Sequence, residues 1–527
     1  SGLLASIPAA TADSSKLIYT GFQRSTLCRG NVVASSVADV ATADADGKVD
    51  ASTTESDGGV GKKAVVVGGG PAGALTALYL ANLGWHVRVY EAYHAPSPSP
   101  SLSPVPSSAS LSPTSFPTPT LPSPTSLSPP AAMSPPRPVR DLKYSVVLSR
   151  RGLDALEGAG VTLPEDGVVR LEGSVRHEND KRSFSGQLKG AVAVDRGTIA
   201  DAIISSAVAK YPQGGRHGMN QTGGSIAFLY QRAVHAVDFT ARIAHFSSTG
   251  TESEGLESAP YDLLVGADGV NSAVRGQLRD DGAVTVEQNT NQMLFKTVRL
   301  PAQTPLPPVV PKGEKKVESK SPEEMEKQAA TFRRCVHTWP KGIVSIIAPP
   351  DPLGTLTGVI ILPGKDMGKA AAKNWTWDRV KTKDDVLAMF SECFPDAFGD
   401  DVVGSGGGGG GGGGFSLPSD EECARILAQT PRKGGVTTTC SRITAHGGSV
   451  ALVGDAAHSM WPTLGQGCNA ALESAQYLSA ALESSPGNQV SALEYFEKVR
   501  LPQVQAAGRL SEAGFGGTAG KGFFFAQ

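Results

Sequence analysis

Lys62–Glu91 reads KKAVVVGGGPAGALTALYLANLGWHVRVYE. An apolar run, Ala64–Val67, leads into Gly68-Gly69-Gly70-Pro71-Ala72-Gly73. A helix rich in Ala and Leu is expected to follow as far as Leu83, and a second strand, Val87–Tyr90, to end at Glu91. Gly68, Gly70 and Gly73 carry the G-x-G-x-x-G spacing. The first glycine permits the tight turn, the second admits a pyrophosphate, and the third lets helix pack on strand. Pro71 and Ala72 open the helix whose N-terminus faces the phosphates. Glu91, followed by Ala92, falls about 20 residues on, where an acidic side chain accepts from ribose hydroxyls. A glycine triplet alone is an ordinary turn. Within a complete strand–helix–strand unit the same triplet reads as dinucleotide binding and sets the fold class as α/β.

Two later segments share this grammar. Tyr261–Arg275, YDLLVGADGVNSAVR, delivers Asp268-Gly269 from an apolar strand into a turn, with Ser272 and Arg275 beyond. Asp-Gly after a strand is also a common plain turn. In the stretch from Ser449, an apolar strand (Val450–Val453) runs into Gly454-Asp455. A loop with Pro462, Gly465, Gln466 and Gly467 follows, and a helix is expected from Asn469. A carboxylate at the strand end can accept from a ribityl hydroxyl, and the glycines let backbone amides approach a phosphate or ring. Each motif is weak alone; their order strengthens all three.

In that order the segments resemble the FAD-dependent aromatic monooxygenases of the p-hydroxybenzoate hydroxylase type, and within them the kynurenine 3-monooxygenase branch. The likeness runs from Lys62 to about Glu512. It includes Tyr144–Val161, Ala191–Ile203, Val336–Pro350, Phe394–Phe398 and Val499–Glu512, and the run GQGCNAALE from Gly465 resembles the branch's GQGMNAxxE. The resemblance implies a Rossmann-like FAD-binding domain of the glutathione reductase type, a substrate domain of antiparallel sheet, and a C-terminal helix. It implies FAD contacts at Gly68, Gly70, Pro71, Ala72, Gly73, Glu91, Ala92, Val147, Arg196, Ala233, Asp268, Asp455, Gly467, Cys468 and Asn469. Among these, Glu91 would meet the adenosine ribose and Arg196 the ribityl–phosphate region. Asp455 would hold the ribityl chain, and the Cys468-Asn469 backbone would meet the isoalloxazine ring. A plain solvated arginine at a helix start is the bland alternative for Arg196.

The 527 residues contain 62 glycines and 37 prolines, clustered enough that the folded part is smaller than the length suggests. A net charge of −2 gives no broad attraction to nucleic acid or anionic membrane. The six cysteines (Cys28, Cys335, Cys393, Cys423, Cys440, Cys468) lack C-x-x-C spacing, so no metal site is expected and a reducing compartment fits. No apolar run approaches the roughly 18 residues of a membrane span. The expected organisation is a disordered segment or organelle transit peptide (chloroplast or mitochondrion) at 1–61; FAD-binding pieces at 62–95, 144–167, 191–291 and 447–487; a Pro/Ser-rich insert at 96–143; substrate-domain pieces at 168–190 and 292–446, with inserts at 301–328 and 404–414; and a C-terminal helical segment at 488–527, with Pro502 as kink or start point.

With one dinucleotide motif and no redox cysteine pair, NADPH or NADH is expected as a transient reductant, and a small aromatic substrate and O2 as the reactants. No nucleophile–base triad is expected. His458 reads as a packing or hydrogen-bonding residue rather than a catalytic one, and the Pro462–Gly467 loop as the mobile element. Where the branch holds kynurenine with an arginine and a tyrosine in the sheet and an asparagine in the C-terminal region, this chain has Ser174, Phe184 and Gly514; Arg170, Arg176 and Arg182 are the candidates for a substitute carboxylate-binding arginine. Two other classes stay open. One is a plastid flavoprotein epoxidase or reductase acting on an isoprenoid, which Asn469 after GQG-x disfavours. The other is a non-catalytic flavin-fold binding protein.

Overall fold

The computed structural model describes residues 61–93, 144–178, 181–212, 223–249, 255–301, 321–341, 344–364, 375–398 and 417–513. Residues 1–60 of the expected transit peptide, the Pro/Ser-rich insert, the 404–414 insert and Gly514 lie outside them.

A six-stranded sheet forms the larger core. Its order is Thr444–Ala445, Val450–Leu452, Leu263–Gly266, Lys63–Val67, His86–Glu91 and Ser225–Tyr230. All neighbours are parallel except the first pair. The central strands read as unbroken apolar runs, AVVV, LLV and VAL, because helices and a three-stranded antiparallel sheet (Arg232–Asp238, Ile243–Ser248 and Glu257–Pro260) cover the sheet. From the middle strand, Lys63–Val67, the chain turns one way to His86–Glu91 and returns later to Leu263–Gly266 on the other side. The strand order therefore reverses beside Val67, and the crevice of such a reversal is where open α/β sheets take ligands. Gly73 shows how tightly the first helix, Pro71–Asn82, closes on it: a Cβ there would lie 1.9 Å from the Gly68 carbonyl oxygen.

The second core is a seven-stranded sheet in the order Arg432–Lys433, Met293–Leu300, Leu356–Pro363, Val344–Ala348, Cys335–Lys341, Gly173–Glu178 and Lys181–Ser185. Only the Cys335–Lys341 and Gly173–Glu178 pair is parallel. Strand alternation gives the sheet two different faces. Trp339, Ile346 and Ala348 join Trp375 and the Phe390, Phe394 and Phe398 side chains on and between the flanking helices Lys383–Cys393 and Pro395–Phe398. Val336 and Ile347, on the other face, pack on Val147 and Ala193. Those two belong to a small sheet of Ser145–Leu148, Val192–Asp195 and Val168–Arg170.

The helix Gln489–Ala513 runs through Pro502 rather than starting at it. The latter part of the 301–328 insert is an ordered helix, Pro322–Phe332, started by a reciprocal capping box between Ser321 and Glu324. Among the described residues all cysteines are free thiols, no helix is long and apolar enough to cross a membrane, and no His/Cys/Asp/Glu cluster could hold a metal.

Candidate flavin site

The three glycine-bearing turns meet at the strand-order reversal. Gly68 has φ +102°, and a Cβ there would lie 2.4 Å from the Ala267 carbonyl oxygen. Its N–H donates to the Tyr90 oxygen, and the Ala267 N–H donates to Val67. The first helix opens at Gly70 with Pro71 in its first turn. It has no side-chain cap and no acidic residue there, so its amides and positive dipole end stay available to an anion. Glu91 ends the neighbouring strand, and its carboxylate accepts from the N–H of Gly69 at 2.7 Å and of Tyr93 at 3.1 Å. The same strand end carries Ala92, whose carbonyl accepts from Thr249, while Gln231, two residues before Ala233, donates to Tyr93.

Gly454 adopts φ +60°, ψ −147°, a region open only to glycine, and a Cβ there would sit 2.9 Å from Ala72 Cβ. This contact sets Asp455 beside the first helix. Arg275 ties the same turn to the middle motif: it donates to the carbonyls of Ala456 at 2.8 Å and Val270 at 2.6 Å. Asp268 is used internally. Its carboxylate accepts from Ser272 Oγ at 2.5 Å and from the N–H groups of Ala273 and Val274, which caps the helix Ala273–Asp280. Burial pushes its pKa up, against those hydrogen bonds.

Tyr144, Arg196, Asp455 and Cys468 form one polar group. Burial pushes the Tyr144 phenol up, with Arg196 opposing. For Arg196 burial acts downward, but Tyr144, Asp455 and Cys468 together hold its pKa above the usual arginine value. The Cys468 thiol is pushed up to about 11 by burial, against Arg196. These groups are embedded in protein, yet Arg196 is exposed and Tyr144, Asp455 and Cys468 are only half-buried. Groups surrounded by protein yet still partly open are placed as the lining of a cleft. Arg196 is also the first residue of the helix Arg196–Lys210, a position where the dipole repels a cation, so this placement favours an anionic occupant.

The helix Gly467–Ser484 begins at this cleft. Asn469 is fully buried; its Oδ1 accepts from Ser149 N–H at 2.9 Å, and its Nδ2 donates to the carbonyls of Val147 at 2.9 Å and Gly465 at 3.3 Å. Its side chain thus ties the Val147–Ser149 segment and the Gly465 loop to its own helix. The loop before it, expected to be mobile, is anchored. Trp461 N–H donates to Ser511 Oγ, Thr463 Oγ1 donates to the Ser511 carbonyl, and Arg151 donates to Gln466 Oε1 at 2.5 Å. His458 is buried and bonded to Ser474 Oγ at 2.9 Å, a packing position. Tyr144 and Arg151 were missed from sequence, because only pairing across the fold brings them here. A separate hollow of about 450 Å³, lined by Lys62, Asp262 and Gln489, lies at the N-terminal ends of the parallel strands and holds none of these groups.

An open helix N-terminus, glycine turns with no room for a Cβ, and a partly open cleft lined by an arginine, a tyrosine and a carboxylate together fit a flavin dinucleotide. Residues 437–511 match the FAD binding domain family. The chain is 24% identical to the kynurenine 3-monooxygenase of Phaeosphaeria nodorum over 85% of its own length and 76% of the relative's. It is 23% identical to that of Flavobacterium psychrophilum, over 86% and 80%. Among solved structures it resembles 2-methyl-3-hydroxypyridine-5-carboxylic acid oxygenase (TM-score 0.55, 20% identity, 87% of this chain and 94% of that one). It also resembles Klebsiella pneumoniae HpxO complexed with FAD and uric acid (TM-score 0.51, 17% identity, 85% and 87%). With its cleft and its two sheets, the chain is an FAD-dependent oxidoreductase of the aromatic monooxygenase type, with the p-hydroxybenzoate hydroxylase fold.

Proposed function

We propose that the chain hydroxylates a small aromatic amino acid of the kynurenine kind, with NADPH as transient reductant and O2 as co-substrate. Bound FAD supplies the redox and oxygen-activating chemistry. The protein's part is to bind, orient and shelter. Gly68, Gly70, Pro71, Ala72 and Gly73 take the pyrophosphate, and Glu91, Ala92 and Ala233 the adenosine end. Val147, Arg196, Asp455, Gly467, Cys468 and the Asn469 backbone take the flavin half, while Asp268 supports the site by capping its helix. The observation that carries the reading is the partly open polar group of Tyr144, Arg196, Asp455 and Cys468 beside the glycine turns at the strand-order reversal, next to a sheet whose face turns toward Val147 and Ala193.

For the substrate carboxylate, strand alternation favours Arg176. It pairs with Thr338, on the face that carries Val336 and Ile347. Arg182 lies opposite His177 on the helix-covered side, and Arg170 ends an exposed strand. Phe184 is 46% exposed and pairs with Val175, on the face away from the flavin pieces. Stopped-flow NADPH oxidation with L-kynurenine, followed by product analysis, tests the proposal. Oxidation is expected to be slow alone, to accelerate with the amino acid, and to give a ring-hydroxylated product. Fast oxidation independent of any aromatic, with no hydroxylated product, would overturn it.

A further inference from the structure

Tyr144 stands one residue before the strand Ser145–Leu148, and Arg196 one residue after Val192–Asp195. These strands run antiparallel with Ser145 opposite Asp195, so the ladder's next step sets Tyr144 opposite Arg196 at the mouth of the cleft. The two side chains are near enough for each to act on the other's ionisation. A guanidinium has only donors, so toward Arg196 the phenolic oxygen can only accept. The phenol keeps its own proton to give, and no acceptor among the described residues takes it. Its charged or polar neighbours are Arg196, Asp455 and Cys468, at the start of the helix Gly467–Ser484; Glu91 is not among them. The free donor therefore sits in the half of the cleft away from the adenosine-side carboxylate.

We propose that Tyr144 is a flavin-positioning residue of this chain: its hydroxyl accepts from Arg196 and donates its proton to an oxygen on the flavin half of FAD. The guanidinium is thereby braced against the cleft wall, and one acceptor oxygen of the cofactor gains a partner already in place. The inference rests on the FAD reading of the cleft.

The test uses the full chain stripped of flavin and titrated with FAD, followed by flavin fluorescence, and separately with ADP, followed calorimetrically. Tyr144→Phe removes the oxygen and keeps the ring. Its FAD Kd is expected to rise about 5- to 30-fold, the range of a lost hydrogen bond in a sheltered site, while its ADP Kd and flavin-free thermal midpoint stay at wild-type values. Tyr144→Met, which also gives up the ring, should show the same split between FAD and ADP. A FAD Kd within twofold of wild type, or an ADP Kd weakened as much as that for FAD, overturns the proposal and leaves the cleft's FAD assignment intact. A wild-type chain that takes up no FAD overturns both, and is seen first.

Discussion

Asn469→Leu replaces a fully buried amide with an apolar group of similar volume. Four polar groups then lose their bonds inside the fold: the Ser149 N–H at 2.9 Å, the Ser149 hydroxyl at 3.2 Å, the Val147 carbonyl at 2.9 Å and the Gly465 carbonyl at 3.3 Å. Ser149 is itself 4% exposed, so water does not replace the amide. An orphaned buried donor costs about 1–3 kcal/mol, and a carbonyl with a second lone pair sits nearer the low end, so the loss should total roughly 2–5 kcal/mol. Urea unfolding of the flavin-free chain measures it as a lower midpoint at constant slope. FAD affinity should fall as well, because Val147 and Gly465 both border the cleft. A loss below about 1 kcal/mol would refute the reasoning, since it would mean that Asn469 does not hold the three segments together.

Arg500 is 2% exposed and bonds Glu473 at 2.7 Å, Ser474 at 2.9 Å and the Ala470 carbonyl at 2.8 Å; Arg500→Met leaves Glu473 only the more exposed Arg151 at 3.5 Å and should cost about 1–3 kcal/mol in the same urea assay. Gly454→Val meets both a glycine-only backbone conformation and Ala72, and should lower stability by roughly 1–3 kcal/mol or more and weaken FAD binding, read by denaturation and fluorescence titration. Burial lowers His458 to about 3 and His337 to about 4, and holds His177 well below its ordinary value. Their folded pKa values lie below the unfolded value of about 6.5, so the unfolded chain takes up these protons first. The stability they contribute is complete above about pH 6.5 and is lost as pH falls toward 4 for His337 and 3 for His458, by up to about 1.4 kcal/mol per pH unit for each. His458→Gln should flatten that dependence in urea midpoints measured from pH 7 to 5.

The glycine turns were legible in the sequence because their constraint is local. Gly68, Gly73 and Gly454 sit where a Cβ has no room, and the residues on either side announce strand and helix. The strand Val450–Leu452 followed from its apolar run for the same reason. What stayed hidden depends on pairing across the fold. Asn469 reaches Ser149 across 320 positions, and Tyr144 faces Arg196 only once the antiparallel register is known. Asp268 was a different matter: Ser272 and the following helix were in plain view, and an aspartate ahead of a helix start often serves its amides. The helix Pro322–Phe332 also had a readable signal, Ser321-Pro-Glu-Glu324, masked by the proline-rich stretch before it.

The central claim, that one cleft at the strand-order reversal binds FAD, meets its most direct test in reconstitution. The chain is incubated with excess FAD, desalted and scanned from 300 to 550 nm, beside Asp455→Ala. The account predicts one flavin retained per wild-type chain and markedly less on the variant. A wild-type protein that passes the column with no flavin absorbance would contradict it.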